Sequence, residues 1–237
     1  MPYTFQSQVR YSEIGEDGLL TLPGIVDYFQ DVSTFQSEST GVGIAYLKEK
    51  GLAWILASWQ IEIAQFPRLC DPVISATWAY EFKDFFGYRN YTLSDPDGRM
   101  YAWANSVWIM YDMVHGRPAR VGREIAEGYG TEQKLDMAYE DRKIRVRGTG
   151  TPEEGFVIGR HHLDTNHHVN NGQYIAMAME YLPRESRVEQ MRAEYRSQAH
   201  LGDEVIPCIY REAPYTTVAL NNQDGKSFAV VRFRIRQ

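Results

Sequence analysis

The chain repeats one pattern. When the first half is shifted by 150 positions, Leu19 falls on Val169, Ile25 on Ile175, Val26 on Ala176, Phe29 on Met179 and Val32 on Leu182. These residues recur at the three- and four-residue spacing of one helix face. Further on the offset drops to 132, where Ile61-Glu62-Ile63 falls on Ala193-Glu194-Tyr195 and Asp71-Pro72-Val73 on Asp203-Glu204-Val205. The difference of 18 (150 minus 132) is about what one extra short helix near 43–51 supplies. Each half therefore reads as a helix followed by an antiparallel meander. A helix wrapped by a curved sheet buries its whole apolar stripe, so such a unit is sound on packing grounds. Two tandem copies in 237 residues make an α+β pseudo-dimer.

The boundaries follow from periodicity and turn chemistry. Residues 18–34 read as a helix with Pro23 in its first turn, and 43–50 as a second short helix. Strands are expected over 52–64, 72–82, 87–94 and 100–111, which are rich in Trp, Ile, Val, Tyr and Thr. Asp95-Pro96-Asp97-Gly98 is a hairpin turn, since Pro presets φ and Gly accepts φ above zero. The second half continues with a strand over 156–163, a helix over 171–182 stopped by Pro183, and strands over 188–198, 205–211, 216–221 and 227–236. In the last, Arg232, Arg234 and Arg236 alternate with Val231, Phe233 and Ile235, giving a wet and a buried face. The expected organisation is a first unit over 1–125, a connector over 126–152 and a second unit over 153–237.

Several classes are disfavoured. A net charge of -6 argues against broad nucleic-acid binding, which needs a strong positive field. The most apolar window, 52–59, is far shorter than the roughly 20 residues of a membrane helix. The first ten residues are mixed and show no secretory pattern. Two cysteines, Cys70 and Cys208, with no CxxC spacing, fit a reducing cytoplasm and neither a disulfide scaffold nor a zinc ribbon.

One polar cluster has no partner in the repeat. At offset 150, Asp164 falls on Ile14, Asn166 on Glu16 and His168 on Gly18. That is what a single active site on a duplicated scaffold looks like. A plain turn leading into a helix capped by Asn170 or Asn171 explains the same residue types. His161, His162, His167 and His168 form two pairs, but adjacent residues of a strand point to opposite faces, so no metal and no cofactor is expected. No G-x-S-x-G elbow, P-loop or G-x-G-x-x-G occurs.

The stretch Leu163-Asp164-Thr165-Asn166-His167-His168-Val169-Asn170-Asn171-Gly172-Gln173-Tyr174 resembles the acyl-acyl-carrier-protein thioesterases and matches their D-x-N-x-H-V-N-N-x-x-Y pattern in full. Glu194-Tyr195-Arg196 is similar to the family's strand after the helix. Trp54, Pro67 and Asp71 are similar to its W…P…D pattern, as is the run from Gly98 through Trp108-Ile109-Met110-Tyr111-Asp112 to Arg117-Pro118. The resemblance implies a tandem double hotdog that hydrolyses fatty-acyl thioesters, most directly those of acyl carrier protein. It implies catalytic roles for Asp164, Asn166 and His168: an imidazole to activate water near neutral pH, an amide for the oxyanion, and a carboxylate as base, nucleophile or orienter.

The family usually has a catalytic Glu after E-Y-R, where this chain has Gln198, followed by Ala199. Gln can hydrogen-bond water or an oxyanion but cannot act as base. His200 is expected on the same strand face as Gln198. The resemblance places the acyl chain in the first half. Trp54, Trp59, Asn171 and His200 are the candidate substrate contacts, with Phe82, Phe85 and Phe86 as further wall candidates. Arg142, Lys143, Arg145, Arg147, Arg184, Arg187 and Arg192 are the basic residues available to an acidic carrier. Alternatives are an acyl-CoA thioesterase and, because of Gln198, a non-catalytic acyl binder. Whether the duplicated chain pairs again as a homodimer is left open by the sequence.

Overall fold

Thr21 starts the first long helix. The Gly24 N–H donates to its Oγ1 at 3.1 Å and Pro23 occupies the first turn, so α1 runs over Leu22–Ser39. Residues 18–21, expected as helix, are instead held in a turn: Gly18 has φ 74° and Ile14 bridges Leu20. In this computed structural model, residues 1–184 and 186–236 are described. The chain divides into two compact units, Met1–Ala57 with Ile61–Tyr139, and Ser58–Gln60 with the chain from Glu140 on. The expected connector is thus divided between Tyr139 and Glu140.

The first unit contains β1 (Tyr3–Gln8), α1, α2 (Ile44–Glu49), β2 (Leu52–Ile63, apart from residues 58–60), β3 (Pro72–Lys83), β4 (Phe86–Ser94), β5 (Met100–Asp112), β6 (Arg117–Pro118) and α3 (Arg123–Tyr129). Its strand order is β1-β3-β4-β5-β2, with β6 on β5. α1 packs on β3 and β4 and buries Leu22, Ile25, Val26, Phe29 and Val32. Each such side chain contributes about 1.5–3 kcal/mol by leaving water. The expected hairpin is present: Arg99 N–H donates to Asp95 Oδ1 at 2.8 Å and Gly98 takes φ 86°. β1 was not anticipated. It pairs with β3 from Tyr3↔Thr77 to Gln8↔Pro72, and no residue of it is fully buried, so its alternation is faint.

The second unit contains β7 (Thr151–Pro152), β8 (Phe156–Val157), α4 (Asn171–Met179), β9 (Arg187–Tyr195), β10 (Glu204–Glu212), β11 (Tyr215–Asn221) and β12 (Ser227–Arg236). The order β9-β12-β11-β10 repeats β2-β5-β4-β3 of the first unit. α4 packs on β11 and β12, and Val231, Phe233 and Ile235 face inward as expected. The strand expected over 156–163 is only the two residues of β8. Gly159 ends it, and Arg160–His162 form a 3-10 turn in which His162 Nδ1 accepts the Gly159 N–H at 3.0 Å.

Backbone hydrogen bonds repeat between the units. Leu20 N–H donates to Pro67 O at 2.8 Å, and Val169 N–H to Ala199 O at 3.0 Å. Val9 N–H donates to Asp71 O at 3.0 Å, and Ile158 N–H to Asp203 O at 2.9 Å. Thr21 and Asn170 are the equivalent helix caps. The offset across the helix is therefore 149 (170 minus 21), which corrects the expected 150. The slip is invisible in sequence because apolar residues at adjacent helix positions, such as Ile25 and Val26, leave a similar pattern in either register.

Candidate active site

The spacing D-x-N-x-H builds the loop before α4. Leu163 bridges Val169, and within that bridge Asp164 N–H donates to His168 O at 2.8 Å. His167 takes φ 61°, a left-handed turn, and donates its N–H to Asp164 O at 3.1 Å. Asp164 Oδ1 accepts the N–H of Asn166 at 2.7 Å and of His168 at 3.3 Å. One carboxylate oxygen thus gathers the backbone of the two other candidate residues. Asn170, not Asn171, caps α4: its Oδ1 accepts Gly172 N–H at 2.8 Å. Asn171 contributes its carbonyl, which accepts the Tyr195 hydroxyl at 2.9 Å.

A second loop meets the first. β9 stops at Tyr195 because the N–H groups of Arg196 and Ser197 converge on Phe228 O, at 2.8 and 3.2 Å, and turn the chain off the ladder. Gln198 and His200 therefore lie in an exposed loop beyond the strand, which corrects the expectation of a shared strand face. Ala199 between them is fully buried. Its carbonyl accepts Val169 N–H and its N–H donates to the Tyr174 hydroxyl at 2.9 Å. The His168 and His200 rings meet edge to face, with centroids 5.0 Å apart at 80°.

Burial first, and the nearby His200 second, hold the His168 imidazole below its ordinary pKa, while Asp164 pulls the other way. His168 is therefore neutral near pH 7, the form that accepts a proton. Asp164 and His168 are half-buried, and Asn166 is exposed. His161 and His162 do not point to opposite faces as expected; in the 3-10 turn their rings lie 3.8 Å apart. Among the described residues no group of three or more His, Cys, Asp or Glu could hold a metal ion.

Superposing the hydrogen-bond patterns shows what changed on a constant scaffold. Gly15 corresponds to Asp164, Leu19 to His168, Ile25 to Tyr174, Phe66 to Gln198 and Arg68 to His200. Tyr174 ends the D-x-N-x-H-V-N-N-x-x-Y run, and only the fold shows its role as the acceptor of the Ala199 N–H. Burial pushes its hydroxyl pKa up to about 12, so it stays protonated. Its sequence signal is a tyrosine where the other unit has core isoleucine. Tyr174→Phe should leave the Ala199 N–H unsatisfied and cost about 1–3 kcal/mol. A fall in denaturation midpoint at unchanged m-value would register it, and an unchanged midpoint would refute the tie.

The other candidates sit elsewhere. Trp59 is 2% exposed and belongs to the core. Trp54 packs in the first unit with Leu47, Met110 and Ile125, its ring 6.2 Å from Phe82. Arg192, expected at the surface, is 5% exposed and paired with Glu140 at 2.5 Å. Arg145 and Arg147 are exposed and, with Arg211 and Arg232, line a cleft of about 550 Å³.

Two helix-on-meander units in tandem, one of them carrying the Asp164–His168 loop, define a double hotdog protein. Residues 2–129 match the acyl-ACP thioesterase N-terminal domain and residues 149–230 the acyl-ACP thioesterase C-terminal domain. The chain belongs to the acyl-ACP thioesterase family. It is 26% identical over 226 residues to oleoyl-acyl carrier protein thioesterase 1, chloroplastic, of Arabidopsis thaliana, covering 86% of this chain and 62% of that protein. The chain thus spans about three-fifths of that relative's length. An acyl-ACP thioesterase from Bacteroides thetaiotaomicron has the same fold, with a TM-score of 0.90 at 22% identity over 98% of this chain and 97% of its own. So does the 12:0-ACP thioesterase from Umbellularia californica, with a TM-score of 0.85 at 16% identity over 99% and 97%. Among the described residues no helix is long and apolar enough to cross a membrane.

Proposed function

We propose that the chain hydrolyses fatty-acyl thioesters, with acyl carrier protein as the carrier, releasing free fatty acid and ending acyl-chain synthesis. The observation that carries this reading is the Asp164–His168 loop, with a neutral imidazole on one unit and Gly15 and Leu19 at the equivalent places of the other. In the proposed reaction His168 takes a proton from water as the water oxygen bonds to the thioester carbonyl carbon. Asn166 is assigned the developing oxyanion. The intermediate collapses with cleavage of the C–S bond, and the thiolate takes up the proton. Water is the only co-reactant, and no cofactor enters. Asp164 holds the loop through Oδ1 and supplies the negative charge beside His168. Gln198, in the adjoining loop, is assigned a hydrogen-bonding role toward water or the oxyanion.

The basic cleft supports an acidic carrier. Arg145, Arg147, Arg211 and Arg232 gather positive charge on a chain of net charge -6. A reducing cytoplasm, where Cys70 and Cys208 stay free thiols, is the compartment this reading assigns. The test is thiol release from matched acyl-carrier and acyl-CoA substrates. The carrier substrate should be preferred in kcat/KM, and the Arg145→Glu, Arg147→Glu double variant should raise its KM about tenfold at low salt, and less at high salt. Equal kcat/KM on both substrates would favour an acyl-CoA thioesterase, and binding without thiol release would favour an acyl-binding protein.

A further inference from the structure

Five of the six histidines, His161, His162, His167, His168 and His200, lie in the second unit, and the reaction above uses one. His200 is the one whose ring meets His168. Its turn is built as in the other unit. Asp203 Oδ2 accepts His200 N–H at 2.8 Å, and Asp71 Oδ2 accepts Arg68 N–H at 2.8 Å. Asp203 N–H returns to His200 O at 3.1 Å, and Asp71 N–H to Arg68 O at 3.0 Å. The turn therefore does not require an imidazole at position 200. In the second unit alone, the side chain at that position carries a ring, and its Nδ1 lies 3.7 Å from the same Asp203 carboxylate oxygen. The groups acting on His168 are His200, Asp164 and His167. His200 is 58% exposed and His168 is half-buried.

We propose that His200, anchored by Asp203, is a positioning residue for His168: its ring, held against His168, fixes the plane of the imidazole that acts as base. This rests on the thioesterase reading of the same site. After burial, the neighbouring His200 is the next cause holding the His168 imidazole below its ordinary pKa. Two variants separate the components. His200→Phe keeps an aromatic ring and removes the second imidazole; His200→Ala removes the ring as well.

The experiment follows the ring resonances of His168 by NMR against pH in the full chain, alongside kcat, KM and the pH–rate profile. With His200→Phe, the His168 midpoint and the acid limb of kcat/KM should both move to higher pH, with KM within about twofold. His200→Ala should move them likewise and also lower kcat about tenfold through lost orientation. A His168 midpoint and acid limb unchanged in both variants, or a wild-type kcat in His200→Ala, overturns the proposal. If the wild-type chain releases no thiol, the thioesterase reading falls, and the NMR midpoints alone then decide the coupling. Should His200→Ala fail to fold, His200→Phe carries the test.

Discussion

His168→Ala is expected to lower kcat for thioester hydrolysis by about 100- to 10,000-fold with KM little changed, the loss associated with removing a general base. The imidazole is half-buried beside Asp164 and His200, and burial keeps it neutral. Its pKa also fixes a sign. The working base is lost as pH falls through its own value, which lies below that of a free imidazole, so the wild-type rate should hold its plateau to slightly acid pH before dropping. Stability follows the same direction. Protonation favours the unfolded chain, so the contribution of a neutral His168 is present above the unfolded pKa and is lost as pH falls through the folded one. The measurement is a pH–rate profile of kcat/KM with a denaturation series at the same pH values. A His168→Ala enzyme at wild-type rate would remove the base from the mechanism.

Asp164→Asn separates two jobs that one side chain performs. Its Oδ1 gathers the Asn166 and His168 amides, and its charge lies beside the His168 ring. Asparagine keeps an acceptor oxygen for the turn and loses the charge. The fold should therefore survive while kcat falls, by about 100-fold or more if the carboxylate is base, nucleophile or orienter. Asp164→Ala loses the turn as well and should melt earlier. Asp164→Asn at the wild-type rate on acyl thioesters would reduce Asp164 to a turn former and leave the chemistry to His168.

The long elements were legible because each writes its own period. The alternation of β12 and the apolar stripe of α1 need no distant partner to be recognised. Short and edge elements were not. β1 buries no residue fully, and the turn at Arg160–His162 follows the apolar run Phe156-Val157-Ile158, which reads as the start of a longer strand. The end of β9 was misplaced for a related reason: residues 196–198 continue the pattern, but Phe228 O, 32 positions away from Arg196 (228 minus 196), takes both the Arg196 and Ser197 amides. Trp59 looked like a ligand wall by residue type, and packing made it core.

The Asp164–His168 loop was determined by sequence alone. Residues two and four positions after an aspartate reach its carboxylate through local turns, whatever the rest of the chain does. The duplication was legible too, to within one residue, because apolar periodicity survives a one-residue slip on a helix. Which side chains meet across the loops was decided only by the tertiary structure. His168 finds His200, and Ala199 finds both Val169 and Tyr174, because α4 and the end of β9 bring segments about 30 residues apart together. That closure depends on sheet register and on a single carbonyl at Phe228, and neither leaves a local mark on the residues it positions.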